Sequence, residues 1–279
     1  MKKLIILISL LLFTFLIKTS NAQQLISVNE YHNMAAELKE STLLVVLPED
    51  TATSNAVTKA VNKYWTFSKF KFINSSEVNS YNSKKEYFLF SIFGIREAGD
   101  KIPFEYSYMI KRASNKLADQ NVYLTNIELP IFNQYPNVEI SNYAYLMPFI
   151  VRLFQNQIST FYNSKGQKKA CNEITWGSDD LRDRLKTMKI YVNKEGIDCE
   201  DNVRINLAQY DKLPADSYEF ASTKEISKVL ERQDNVAIYI WGHYFSVENA
   251  TYITRGDFAI NLLNCNFDPK KNKIIKPKK

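Results

Sequence analysis

The chain has little of what phosphate-binding loops and catalytic dyads require. It contains only seven glycines among 279 residues, and no two of them lie within three positions of each other. A P-loop and a dinucleotide-binding fingerprint both need closely spaced glycines, so the sequence excludes both motifs. Only two histidines occur, and no serine stands in a Gly-x-Ser-x-Gly elbow. We therefore predict no bound cofactor and no metal.

Cysteine is also scarce, with only Cys171, Cys199 and Cys265 in the chain. Their spacings match no zinc-binding pattern, and no histidine lies close to them in the sequence. In an oxidising compartment, three cysteines allow one disulfide and leave one thiol. The sequence does not select the pair, so all three are disulfide candidates.

The positive charge is concentrated at the two ends of the chain. The formal net charge is +6, but the first 22 residues hold three lysines and no acid, and residues 267–279 hold six lysines against Asp268. A nucleic-acid-binding protein needs basic residues on its folded surface. We therefore predict no nucleic-acid partner, and we expect residues 267–279 to be a solvated lysine-rich tail.

One long apolar run lies near the start of the chain. Two lysines precede the run from Leu4 to Ile17, and residues 20–22 are small, as a signal peptidase requires. The run is shorter than the roughly 20 residues that cross a bilayer as a helix, so residues 1–22 are predicted to be a cleaved signal peptide, with a retained anchor as the alternative. The most apolar later segment, 143–154, contains a proline and an arginine. We therefore predict that the protein is exported to the periplasm or the extracellular space and has no transmembrane segment after cleavage.

Strand and helix patterns alternate in the same order in both halves. Segments 70–94 and 218–242 each read as a strand, a helix start, a second strand and a glycine at equal spacing. This match predicts an internal duplication, although two similar stretches without common origin would give the same pattern. The fold class predicted is α/β with mixed sheets of about five strands, arranged as two tandem domains.

The predicted domains span residues 23–165 and 166–266. A helix with a broad apolar face ends the first domain, over residues 143–163, and is expected to pack on that domain or to bridge the two. Each sheet should close with two further strands. These are predicted at 104–110 and 122–132 in the first domain, and at 250–254 and 258–263 in the second.

His243 is the weak catalytic candidate. It follows a predicted strand, and ligands of α/β proteins bind beyond strand ends. The matching position of the first half is Ile95, so the repeated unit does not require an imidazole there. His32 lies on the polar side of the first predicted helix, where a surface role is expected.

One carboxylate recurs in both halves, as Glu77 and Glu225. Each lies three residues after Asn74 or Ser222, which are suited to cap a helix. From that position a carboxylate accepts a hydrogen bond from the backbone amide of the capping residue. Helix capping therefore explains the recurrence without a substrate.

Tyrosine and phenylalanine are abundant, with seventeen of each. Tyr106, Tyr108, Tyr244 and Tyr252 lie on or near the last strands of each half, and they are weak candidates for a binding surface, with core packing as the alternative. The leading prediction is a non-enzymatic cell-envelope or secreted binding or assembly protein with a protein or glycan partner. The alternative is a periplasmic or secreted hydrolase or transferase with a site between the domains near His243.

Overall fold

The computed structural model describes part of the chain. The described residues are 28–81, 87–95, 105–113, 123–130, 140–165, 183–196, 207, 213–240, 243–255, 267–268 and 273–274. The helices are α1 (Val28–Glu40), α2 (Thr51–Tyr64), α3 (Met147–Asn163) and α4 (Thr223–Arg232), with 3-10 helices at Ser75–Ser80, Ile140–Leu146 and Lys194–Gly196. The three cysteines and the predicted signal peptide lie outside the described residues.

The first sheet has five strands in the order β2-β1-β3-β4-β5. The central strand β1 runs parallel to both β2 and β3, and β4 and β5 continue the sheet in antiparallel directions. The strands are β1 (Thr42–Leu47), β2 (Lys69–Asn74), β3 (Tyr87–Ile95), β4 (Glu105–Arg112) and β5 (Tyr123–Pro130). The predicted closing pair of this half is confirmed as two antiparallel neighbours.

The second sheet has the same arrangement, in the order β7-β6-β8-β9-β10. Here β6 runs parallel to β7 and β8, and β9 and β10 follow in antiparallel directions. The strands are β6 (Ile190–Asn193), β7 (Tyr218–Ala221), β8 (Ala237–Ile240), β9 (His243–Ser246) and β10 (Thr251–Arg255). The fold is therefore α/β with two mixed sheets.

The closing strands of the second sheet differ from the prediction. Strand β10 matches the predicted segment 250–254, but its partner is β9, which the sequence did not predict. The other predicted strand, 258–263, lies outside the described residues. Only two residues, Trp-Gly, separate β9 from β8 in the sequence. This pair is not one of the Asn-Gly or Asp-Gly pairs that signal a two-residue hairpin, which explains why β9 was missed. In the tail, a short antiparallel pair joins Phe267–Asp268 to Lys273–Ile274.

Helix α3 lies between the two sheets. Its buried residues cover much of its circumference, as expected of a helix enclosed by protein. The Phe154 ring meets Phe90 of the first sheet edge-on at 5.8 Å, and the Phe149 ring meets Phe245 of the second sheet at 5.6 Å. One apolar cluster therefore runs from the first sheet through α3 to the second. The domain bounds at 165 and 166 stay a prediction.

Two polar side chains of α3 bind the turn between β9 and β10. Arg152 donates to the carbonyl oxygens of Val247, at 3.1 Å, and Glu248. Asn156, one helical turn later, donates to the carbonyl oxygen of Asn249 at 2.5 Å. The carbonyl oxygens of this turn, residues 247–250, thus receive their hydrogen bonds from a helix that lies about ninety residues earlier in the chain.

The two sheets present opposite faces to α3. The equivalent connections differ between the two sheets. The 3-10 helix at 75–80 connects β2 to β3 in the first sheet, and α4 connects β7 to β8 in the second. The 3-10 helix covers the face of the first sheet that points away from α3, where Leu44, Ile73 and Leu89 form a small cluster with Val78. Helix α4 instead packs within the central cluster.

The outer face of the second sheet has its own apolar cluster. Ile190, Val192 and Tyr239 lie there together with Leu207 and Leu213 from the connection between β6 and β7. Right-handed crossovers account for the arrangement, because connections that cross a sheet in opposite directions must lie on opposite faces. Among the described helices, none is long and apolar enough to cross a membrane.

Candidate functional site

A polar network lies at the carboxyl edge of the second sheet. Asn193 ends the central strand β6, and its side-chain amide donates to Tyr145 Oη at 2.8 Å and to Thr223 Oγ1 at 3.1 Å. The carbonyl oxygen of the same side chain accepts from the backbone amide of Glu195 at 2.9 Å. Asn193 therefore joins the 3-10 helix at 140–146 to the start of α4.

Tyr145 is a neutral member of this network at physiological pH. The pKa of Tyr145 is raised to about 12, mainly by burial; the hydrogen bond from Asn193 opposes the shift, and the nearby Glu195 carboxylate adds to it. A phenol with so high a pKa is a poor proton donor in catalysis at neutral pH. Its role here is to accept a hydrogen bond between the two halves of the chain.

His243 lies at the same edge as Asn193. It begins β9 and pairs with Ile240, the last residue of β8. Paired residues on neighbouring strands lie on the same face of a sheet, and so do alternate residues of one strand. His243 is therefore on the same face as Ile240 and Ile238. Asn193 and Tyr191 lie on that face too, because Tyr191 pairs with Ile238. The His243 ring is half-buried, 6.2 Å from the ring of Phe245. A catalytic role for His243 stays a prediction.

The four tyrosines predicted to bind a ligand are on the last strands of the sheets. Tyr108 and Tyr244 are 0% and 1% exposed, so their rings pack in the cores and offer no surface. The side chains of Tyr106 on β4 and Tyr252 on β10 lie outside the described residues. A binding role for the four stays a prediction, and for the two buried residues the core alternative fits their position.

Tyr162 is a surface aromatic that the sequence did not single out. It is 37% exposed in the last turn of α3, and its ring packs edge-on with Phe67, with 5.8 Å between the ring centroids. His32 lies beside it, at 6.3 Å between ring centroids, and its Nδ1 lies 3.3 Å from the carbonyl oxygen of Phe161. His32 is half-buried at the packing of α1 on α3, so the surface position predicted for it is only partly right.

Helix capping is confirmed for both recurring carboxylates. The backbone amide of Asn74 donates to Glu77 at 2.8 Å, and that of Ser222 donates to Glu225 at 2.7 Å. Hydrogen bonds from Ser222 lower the pKa of Glu225 below its usual value. Both carboxylates are therefore held at helix starts by their own capping residues.

A groove lies where α2, α3 and α4 meet. Its volume is about 210 Å³, and it is open to solvent. The lining residues are Lys59, Ala60, Lys63 and Tyr64 of α2, Pro148 of α3 and Glu231 of α4. Charged side chains form its rim, and Ala60, Tyr64 and Pro148 supply the apolar part of its floor. No local pattern in the sequence indicates this groove, because its walls come from segments nearly 170 residues apart.

The groove and the carboxyl edge of the second sheet both combine residues from the two halves of the chain. Within the described residues, no three histidine, cysteine or acidic side chains gather as they would to hold a metal ion. Comparison with protein-family models, with curated proteins and with solved structures finds no match for this chain.

Proposed function

We propose that this protein is an exported, non-enzymatic binding or assembly protein of the cell envelope or the secreted space. The observation that carries the proposal is the groove between α2, α3 and α4, where charged and apolar side chains from both halves line one solvent-open surface. Small-molecule and partner sites occur preferentially where two structural units meet. The partner is a protein or a glycan.

The proposal includes an internal duplication of one α/β unit. The identical strand order and strand directions of the two sheets support it, as do the capping boxes that follow β2 and β7. The proposed domains are residues 23–165 and 166–266, followed by the tail 267–279. Two copies of one unit, joined through α3, would give a rigid body with two distinct lobes for recognition.

Export is proposed from the apolar run of residues 4–17. N-terminal sequencing of the protein secreted by its own cells would test this directly. A mature chain that begins at Gln23 is the expected result. A chain that retains residues 1–22 and sediments with membranes would contradict it.

Site-specific crosslinking in the native cells tests the binding function. A photoreactive amino acid placed at position 59, on the groove, should capture one dominant partner. The same group at Lys224, exposed on α4 but not lining the groove, is the matched control. Purified protein that is monomeric and captures no partner from any surface position would overturn the proposal.

The alternative function is a hydrolase or transferase with its site near His243. It is favoured by one observation, the shared face of Asn193 and His243 at the carboxyl edge of the second sheet. Purified protein and the His243→Ala variant would be compared on ester, amide and glycoside substrates. Turnover that the variant loses would replace the binding proposal, whereas absence of His243-dependent turnover is expected.

A further inference from the structure

The groove at α2, α3 and α4 has two cationic side chains on one wall. Lys59 and Lys63 are both exposed and lie one helical turn apart on α2, which separates their Cβ atoms by about 6 Å. Lys63 Nζ lies 4.9 Å from the centroid of the Tyr64 ring. Among the described residues, neither lysine forms an ion pair within 4 Å, and Glu231 on the opposite wall forms none either. Both ammonium groups are thus available to a ligand.

A third cation, Arg152, lies near Tyr64 of this wall. The Arg152 guanidinium is half-buried near Tyr64, where its hydrogen bonds to the carbonyl oxygens of Val247 and Glu248 hold it in place. It does not line the groove, and two of its donors hold it on the turn between β9 and β10. A fixed cation near Tyr64 still favours a negative charge in the groove.

The size of the groove limits what it can hold. Its volume of about 210 Å³ is below the roughly 300–1,000 Å³ of pockets that enclose drug-sized ligands. It therefore suits one or two side chains of a larger partner. Its floor of Ala60, Tyr64 and Pro148 offers an apolar contact beside the two ammonium groups.

We propose that this groove binds an acidic peptide segment of a protein partner. A carboxylate of the segment would pair with Lys59 and Lys63, and a neighbouring apolar side chain would pack on Tyr64 and Pro148. Glu231 would accept a hydrogen bond from a backbone amide of the peptide, a donor that a peptide presents next to its side chains. The inference rests on the proposed binding function and names the class of partner.

The test is a titration followed by two-dimensional NMR of the full mature chain labelled with nitrogen-15. The probe is the peptide N-acetyl-Glu-Leu-Glu-amide, and N-acetyl-Gln-Leu-Gln-amide is its uncharged control. We expect the acidic peptide to shift the backbone amides of residues 59–64 and 231 and to bind at least fivefold more tightly than the control peptide. No shift at these amides would overturn the proposal.

Two charge-reversal variants separate a specific site from general attraction. Lys59→Glu/Lys63→Glu should weaken binding of the acidic peptide at least tenfold. Lys224→Glu/Lys228→Glu reverses two exposed lysines with the same spacing on α4, outside the groove lining, and should change affinity less than twofold. An equal loss in both variants would overturn the proposal, because it would show attraction to the net charge alone. The thermal unfolding of each variant, compared with the parent protein, confirms that it is folded.

An anionic sugar is the competing ligand, and digalacturonate serves as its probe. Tighter binding of digalacturonate than of the acidic peptide at residues 59–64 would overturn the peptide inference while leaving the binding function standing. Conversely, a partner captured by crosslinking only at surfaces other than the groove would support the binding function and overturn the groove as its site. The two proposals can therefore fail separately.

Discussion

The two sheets share a strand order but differ in the face that each turns to the central helix. The first sheet contacts α3 with the face that carries Phe90, on the side of α2, and its 3-10 helix at 75–80 covers the opposite face. The second sheet contacts α3 with the face covered by α4. The difference shows that one topology offers two apolar faces, and that the connections decide which face is buried centrally.

Length and amphipathicity of the connection explain the choice. The segment after β2 forms only a six-residue 3-10 helix with no buried residue, so it can cover only a small outer cluster. Helix α4 has ten residues and buries Ile226, Val229 and Leu230 on one side. A helix with such a stripe can fill the space between a sheet and α3, which a single 3-10 segment cannot.

The largest expected effects come from the two rings that join α3 to the sheets. Phe154→Ala removes the contact with Phe90, and Phe149→Ala removes the contact with Phe245. Each variant should lose about 3–5 kcal/mol of unfolding free energy, because both rings are fully enclosed. Urea unfolding followed by fluorescence and circular dichroism would measure the loss.

The same pair of variants tests whether the two sheets behave as one cooperative unit. Since one apolar cluster includes both, each variant should unfold in a single transition that both probes report alike. Two separate unfolding transitions in Phe149→Ala, in which the second sheet unfolds before the first sheet, would show that the sheets are independently stable.

The turn between β9 and β10 should be the next most sensitive contact, and only the second sheet depends on it. Arg152→Ala removes two charge-assisted hydrogen bonds and should cost about 2–3 kcal/mol, and Asn156→Ala about 1 kcal/mol. Hydrogen exchange should accelerate in β9 and β10 and stay unchanged in β1 to β3. Asn163→Ala, exposed on the same helix, is the control and should change stability little. Equal acceleration in both sheets would contradict a local role.

Tyr145 provides a pH-dependent link between the first half and the second sheet. Its pKa is raised to about 12 in the folded chain from the usual 10. The stability that it contributes is therefore present below pH 10 and is lost as pH rises from 10 to 12, since the unfolded chain releases the phenolic proton first. Tyr145→Phe should flatten that alkaline loss and should cost about 1 kcal/mol at pH 7. Denaturant unfolding at pH 7, 10 and 11 would measure both, and an unchanged alkaline loss in the variant would contradict this role.

The smallest effects should come from the two capping boxes, and they should differ. Ser222→Ala removes the cap of a helix packed against α3 and should cost about 1 kcal/mol. Asn74→Ala acts on a short exposed 3-10 helix and should cost less. The Ser222 hydrogen bonds lower the pKa of Glu225, so Ser222→Ala should raise that pKa toward its usual value. The stability from Glu225 is present above that usual value and is lost as the pH falls through the lowered one.

Carboxyl-carbon NMR across an acid titration would measure the pKa of Glu225 in the parent protein and in Ser222→Ala. Equal destabilisation by the two alanine substitutions would contradict the difference in burial between their helices.

Local patterns in the sequence were sufficient for most elements. The strands predicted at 104–110 and 122–132 are β4 and β5, and the strand predicted at 250–254 is β10. The helix predicted at 143–163 is α3 together with the end of the 3-10 helix before it. The capping pairs were also readable, since the residues that form them are three positions apart. Strand β9 was missed because the Trp-Gly pair that separates it from β8 carries no hairpin-turn signal.

The candidate sites were far less readable. Tyr145 and Asn193 are 48 positions apart, and Lys63 and Glu231 are much further apart, so no local spacing signals that they meet. The tyrosines named as weak binding candidates include Tyr108 and Tyr244, which are buried, as the core alternative expects. Strand alternation shows that residues share a face, but it does not show which face meets water.

The sequence by itself determined the α/β class, the order of the elements and the starts of its capped helices, because these follow from apolar periodicity and from hydrogen bonds over three or four residues. The tertiary structure alone decided that α3 joins the two sheets, that the sheets turn opposite faces to it, and that a charged groove opens between α2, α3 and α4. These depend on packing between residues distant in the chain, where the length and apolar stripe of each connection decide which surfaces can be buried together.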